Sequence, residues 1–178
     1  MNDIQLIRDC LNGDTNSFGP IVRKYEALLL RTAFRYLGNW DDAQDATQDA
    51  FVKAYNALES YDQSRTLAVW LHRILVNTCL DRCRAQTLRL RKREHHIYPE
   101  GSSQNTLDRI AEKEIIQKAL ARLSIKRRQA FTLIDLEGYS SSEAAYVMGC
   151  SESTARVTAM KAREKLKKIY MELTAHDR

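Results

Sequence analysis

Glycine and proline are scarce in this chain, with 6 Gly and 2 Pro among 178 residues. Sandwiches, barrels and glycine-rich nucleotide folds need turn formers at short intervals, and the long runs of Ala, Leu, Arg, Glu and Gln favour helix instead. The expected fold class is all-α. A hydrophobic content of 44% supports an ordinary core, and alongside it 29% charged residues excludes wholesale disorder. The length excludes a large multidomain enzyme. No apolar run approaches the roughly 20 residues that span a bilayer, and the N-terminal MNDIQLIRDCLNGD has acids where a signal peptide has positive charge. These features imply a soluble, cytoplasmic chain with no membrane insertion. Its four cysteines, Cys10, Cys79, Cys83 and Cys150, are then expected as thiols.

The formal charge of +5 conceals a segregation. Residues 1–62 hold 6 basic and 10 acidic side chains, 63–98 hold 8 and 2, 99–124 hold 4 and 4, and 125–178 hold 10 and 7. Arg82, Arg84, Arg89, Arg91, Lys92 and Arg93 follow one another without an intervening acid, as do Asp41, Asp42, Asp45 and Asp49 without a base. One basic run alone reads as a solvated helix end. Two separated basic pieces suit a polyanion long enough to touch both, because dense Lys and Arg release its condensed counterions. DNA or RNA fits better than a small anion.

Apolar spacing predicts a helix through Ile4, Leu6, Ile7 and Leu11, a turn at Asn12-Gly13-Asp14, and a second helix through Val22, Tyr25, Leu28, Leu29, Thr32, Ala33, Tyr36 and Leu37. Gly38-Asn39 ends it. Asp41 is expected to cap a third helix running to about Leu58, buried along Ala43, Ala46, Ala50, Ala54 and Leu58, with Asp42, Asp45, Asp49 and Val52 lining an exposed face. Residues 59–66 read as a loop. A fourth helix buries Leu67, Trp70, Leu71, Ile74, Leu75 and Thr78, and turns Arg73, Asn77, Asp81 and Arg84 elsewhere. Between about His95 and Asn105, Pro99, Gly101 and Ser/Asn residues remove the periodicity, as in an interdomain linker. Helical pattern resumes through Leu107, Ile110, Ile115, Ala119, Leu120 and Leu123, then Ala130, Phe131, Leu133, Ile134 and Leu136, up to Gly138.

Residues 140–166 have the anatomy of a helix-turn-helix. Ser140 with Glu143 makes a capping box, Ala144 and Ala145 are small where two helices approach, Gly149 supplies the turn, and Ser151 caps the next helix. On that helix Ala155, Ala159, Ala162, Leu166 and Ile169 share an inward face, opposite Ser153, Val157, Met160, Lys161 and Glu164, with Arg156 and Arg163 on one flank and Lys165 on the other. Side chains of the N-terminal half can reach base edges while cations hold phosphates. The plainer reading is a surface helix pair.

With both ends in view, the chain resembles the extracytoplasmic-function class of bacterial sigma-70 factors, which keep only the second and fourth conserved regions. Phe18 to Gly38 resembles the family's opening helix, and Asp41 to Ala54 its core-polymerase-binding helix. Trp70 to Asn77 resembles its promoter-melting helix, and Leu123 to Arg163 its C-terminal helix-turn-helix. The resemblance implies two helical domains, sigma region 2 over 1–94 and sigma region 4 over 111–178, joined by a flexible linker at 95–110. It implies that Asp45, Gln48 and Asp49 engage core RNA polymerase and that Arg73, Asn77 and Arg84 contact the minus-ten promoter DNA. The loop at Ser60 and Tyr61 would hold a flipped base, an aromatic wall being apt for stacking. Ser153, Arg156, Val157, Met160 and Lys161 would read the minus-thirty-five element, and an anti-sigma factor would control the whole. Ser124 stands where the family usually has Pro, Thr66-Leu67-Ala68 replaces a Phe-containing stretch, and the recognition helix lacks the usual Ser at Val157 and Arg at Thr158.

Two metal readings compete. Asp41-Asp42-Ala43-Gln44-Asp45 satisfies the short DDxxD pattern that holds magnesium and a diphosphate in terpene synthases, but here the carboxylates form an outward stripe and no second metal motif accompanies them. Cys79 and Cys83 with His95-His96 invite zinc, yet both cysteines lie amid periodic apolar residues. No metal, cofactor or bond chemistry is therefore assigned. The functional alternative is a helix-turn-helix regulator that does not join polymerase, for which the acidic stripe has no use.

Overall fold

The computed structural model describes residues 2–92 and 116–174, with side chains from 2 to 85 and from 116 to 172. The chain divides into two compact units, Met1–Arg82 and Cys83–Arg178, the division falling inside a helix. Among the described residues every regular element is helical. The expected linker at 95–110, the run from Arg89 to Arg93 and the pair His95-His96 lie outside the described side chains, as do Leu107, Ile110 and Ile115.

The first unit opens with α1 (Asp3–Leu11), capped by the Asn2 side chain. The Asp3 carboxylate joins it to α2 (Phe18–Leu37), accepting from Lys24 Nζ at 2.7 Å and Tyr25 OH at 2.6 Å. Gly38 stops α2 at φ 72°, a left-handed conformation that favours glycine. The next helix, α3 (Trp40–Asn56), is capped by Asn39, whose side chain accepts from Asp42 N at 3.0 Å. Asp41, expected as the cap, instead lies in the first turn, where its charge suits the positive end of the helix dipole. The helix ends two residues before Leu58, which remains buried in a 3₁₀ turn.

The buried side of α3 is Ala43, Ala46, Thr47, Ala50, Phe51 and Ala54, and the small residues let it approach α2, against which it packs. In α4 (Leu67–Lys92) burial is wider than one stripe: Val69, His72, Val76 and Cys79 are enclosed along with Leu67, Trp70, Leu71, Leu75 and Thr78. Deleting a fully enclosed side chain such as Leu71 costs about 2–5 kcal/mol.

The second unit contains α5 (helical over 116–121), α6 (Ile125–Phe131), α7 (Ser141–Met148) and α8 (Glu152–Thr174). Ala119, Leu120, Leu123, Ala162 and Ile169 form its core, with Phe131 and Leu166 against them. Arg128 donates from Nε to Leu120 O and from Nη2 to Ala121 O, both at 2.9 Å, satisfying carbonyls at the end of α5. Ser124 has φ −61°, the value to which proline is restricted, so the serine keeps the backbone shape a proline would impose. After α6 the chain widens into a π turn, Thr132–Leu136. The extra residue per turn leaves Leu136 exposed where 3.6-residue spacing would bury it.

The expected capping box is present, Glu143 N donating to Ser140 Oγ at 3.2 Å and Ser140 N to Glu143 Oε2 at 2.9 Å. Gly149 makes the turn at φ 63°, and Ser151 Oγ accepts from Thr154 N at 3.2 Å to start α8. Helices α7 and α8 pack together, and Ala144 and Ala145 of the one and Ala155, Ala159 and Ala162 of the other are buried. No described helix is long and apolar enough to cross a membrane.

Candidate functional site

The exposed side of α3 presents Asp42, Asp45, Gln48, Asp49 and Val52, the last 61% accessible. Its carboxylates are not all unpartnered. Arg82 of α4 reaches across, with Nη2 at 2.5 Å from Asp49 Oδ2 and Nη1 at 3.7 Å from Asp45 Oδ2. The Asp49 hydrogen bond, more than any other influence, raises the Arg82 pKa above its already high ordinary value, and the charges of Asp49, Asp45 and Asp42 act in the same direction. Spacing within α3 cannot show this pair, because its members are 33 residues apart.

The loop after α3 is organised by its own side chains. Ser60 Oγ donates to Ala57 O at 2.7 Å, and Asp62 accepts from Ser64 N at 2.9 Å and Ser64 Oγ at 2.7 Å. Those two bonds, the side-chain one foremost, hold the Asp62 carboxyl below the usual range. Tyr61 is half-buried: its ring meets Trp70 edge-on with centroids 5.3 Å apart, and its hydroxyl donates to Arg65 O at 2.7 Å. The residue expected as a stacking wall is thus also the brace of the loop. Along the outer side of α4, Arg73 is half-buried while Asn77 and Arg84 are exposed.

His72 escaped the sequence reading. It is fully enclosed, with Nδ1 at 2.9 Å from Ala68 O and Nε2 at 3.2 Å from Thr32 Oγ1. A carbonyl only accepts, so Nδ1 donates to Ala68 O, while the Thr32 hydroxyl also lies 3.2 Å from Leu28 O. Together with the Lys53 Nζ to Thr78 Oγ1 bond of 3.0 Å, His72 ties α4 to α2 and α3 and fixes which side of α4 faces outward. Its signal in the sequence was only its place between Leu71 and Arg73, on the border of the apolar stripe.

In α8 the outward residues are Ser153, Arg156, Val157, Met160 and Lys161, all exposed. Val157 and Met160 retain 43% and 47% of their surface, an apolar strip suited to contact rather than to this unit's core. Ser153 Oγ lies 3.0 Å from Ser151 Oγ, so the helix cap holds it in place. Arg163, expected on the flank of the outward face, is turned to Asp135 of the π turn, Nε to Oδ1 at 2.7 Å. Among the described residues no cluster of three His, Cys, Asp or Glu could hold a metal ion, and none of the four cysteines is in a disulfide.

Two units that are helical in every regular element of their described residues, the second holding a helix-turn-helix with polar and apolar groups on its open face, have the form of a helical DNA-binding protein. The sigma-70 region 2 family model matches residues 21–89 and the sigma-70 region 4 model matches 113–166. The ECF RNA polymerase sigma factor SigM of Mycobacterium tuberculosis is 32% identical over 171 residues, 94% of this chain and 84% of the relative. The Escherichia coli ECF RNA polymerase sigma-E factor is 29% identical over 92% of each chain. The solved structure of CnrH in complex with the cytosolic domain of CnrY superposes with a TM-score of 0.69 at 27% identity, covering 94% of this chain and 96% of that one. The chain belongs to the extracytoplasmic-function family of sigma-70 RNA polymerase sigma factors.

Proposed function

We propose that the chain acts in the cytoplasm as a dissociable specificity subunit, bringing core RNA polymerase to a promoter and helping to open it without bond chemistry of its own. Region 2 spans 1–94 and region 4 spans 111–178, with 95–110 as linker; the family matches at 21–89 and 113–166 fall inside these limits. Asp45, Gln48 and Asp49 engage basic and polar groups of the polymerase. Arg73, Asn77 and Arg84 hold the minus-ten DNA, and Ser60 and Tyr61 border the site of a flipped base. Ser153, Arg156, Val157, Met160 and Lys161 read the minus-thirty-five element, the cations on phosphate or guanine and the apolar pair on base edges.

The observation that carries this reading is the pairing, in one chain of this family, of an outward carboxylate face on α3 with an outward α8 face of two cations and an apolar strip. The capture of CnrH with a second protein supports control by an anti-sigma factor that occupies these surfaces. In-vitro transcription with core polymerase on a promoter library tests initiation and reads out both DNA elements. Absence of any selected promoter, with the chain folded and the polymerase active, would overturn the reading.

A further inference from the structure

The C-terminal half of α8 borders a cationic cleft that the residues above leave largely unused. Arg127 of α6 and Lys161, Lys165 and Lys168 of α8 line an open volume of about 310 Å³, with Glu164 as the acid among the lining residues. Lys161, Lys165 and Lys168 are spaced 4 and 3, which places them on one face over about 10 Å of helix. The lysines are exposed and Arg127 is half-buried.

Other cations of this unit serve its own structure. Arg122 pairs with Glu172 at 3.6 Å, Arg128 caps α5, and Arg163 pairs with Asp135. Among the described residues no carboxylate lies within ion-pair distance of the four cations of the cleft. Four cations against the single Glu164 carboxylate repel one another on this lining, and a polyanion that covers them relieves the repulsion.

We propose that this cleft is a second phosphate-binding site for the duplex whose minus-thirty-five bases are read by the N-terminal half of α8, an inference that rests on that reading. Lys161 belongs to both surfaces and joins them. Cations spread over about 10 Å of helix suit successive phosphates of a strand rather than one compact anion. Such contacts add affinity and salt dependence but carry no base information.

The test uses holoenzyme reconstituted from core polymerase and the full chain, titrated over a potassium chloride series against a promoter fragment that the wild-type holoenzyme selects from a randomised library. Combining Arg127→Ala, Lys165→Ala and Lys168→Ala is expected to reduce the slope of log affinity against log salt by about 2 to 3. A fragment with a scrambled minus-thirty-five element should lose affinity by the same factor. The pair Lys165→Gln with Lys168→Gln leaves the packing of Arg127 intact, and its expected reduction is about 2. Unchanged slopes in both variants overturn the proposal, including the case in which transcription falls only with an added acidic activator, which would make the cleft a protein-docking surface. Arg156→Ala in the same assay separates the two readings. If it relaxes minus-thirty-five base preference while the cleft variants keep the wild-type slope, the cleft alone is refuted; if base preference does not move, the reading of α8 itself fails.

Discussion

Arg82 of α4 forms a hydrogen-bonded ion pair with Asp49 of α3, Nη2 to Oδ2 at 2.5 Å, and the same guanidinium stands 3.7 Å from Asp45. The face proposed to receive polymerase therefore carries its own exchangeable cation. Exposed ion pairs contribute about 0–1 kcal/mol, so a cation from a partner can replace Arg82 at little cost. Arg82→Gln is expected to change unfolding stability by less than about 1 kcal/mol, read from denaturant melts. Asp45→Lys combined with Asp49→Lys should abolish association with core polymerase while the circular dichroism spectrum stays helical. Binding that survives the double reversal would remove α3 from the interface.

Tyr61 braces its loop through a hydroxyl bond to Arg65 O and an edge contact with Trp70. Tyr61→Phe keeps the ring but loses the bond, a change of about 0.5–1.5 kcal/mol. The expected outcome is weaker promoter opening with relaxed preference at the flipped base of the minus-ten element, scored by transcription from single-base promoter variants. Tyr61→Ala should be more severe. If Tyr61→Phe leaves the preference profile at wild type, the hydroxyl has no part in shaping the base site.

The Asp3, Lys24 and Tyr25 cluster makes stability depend on pH at both ends of the scale. Burial works to raise the Asp3 pKa, but hydrogen bonds from Lys24 and Tyr25 and the Lys24 charge outweigh it, and the net shift is below the ordinary 3.8. That contribution is present above the unfolded value and is lost as pH falls through the folded one. Burial first, and then the bond to Asp3, push Tyr25 up to about 12. Its contribution is full below the unfolded value of about 10 and is lost as pH rises toward about 12. Thermal melts should show Asp3→Asn less stable than wild type near neutrality, with the gap closing in acid. Tyr25→Phe should flatten the alkaline limb. Parallel wild-type and Asp3→Asn profiles down to the lowest pH would exclude the acid half of this account.

Arg156 is exposed on the outward face of α8. Arg156→Ala is expected to weaken promoter binding by roughly 1–3 kcal/mol through loss of discrimination at one minus-thirty-five position. Competition binding against fragments mutated one base at a time measures this. A uniform loss across all fragments would assign Arg156 to the phosphate backbone.

Much of the fold was legible in the sequence because its signals are local. Scarcity of glycine and proline, alanines recurring at helical spacing, Gly38 and Gly149 at positive φ and the Ser140 to Glu143 box each act within a few residues of themselves. The cap of α3 was misplaced by two residues because Asn39 and Asp41 are both competent acceptors, and only the backbone at Asn39 is extended enough to serve as the cap.

By itself, then, the sequence determined the helical periodicity of the described residues, the acidic face of α3 and the outward face of α8, since side-chain direction follows from 3.6 residues per turn. Only the tertiary structure decided which charges on those faces stay open. Arg82 meets Asp49, Arg163 meets Asp135, and His72 meets Thr32 across 33, 28 and 40 residues. Such pairs depend on how helices are rotated and crossed, a property of packed side chains from several elements at once that no periodicity within one helix encodes.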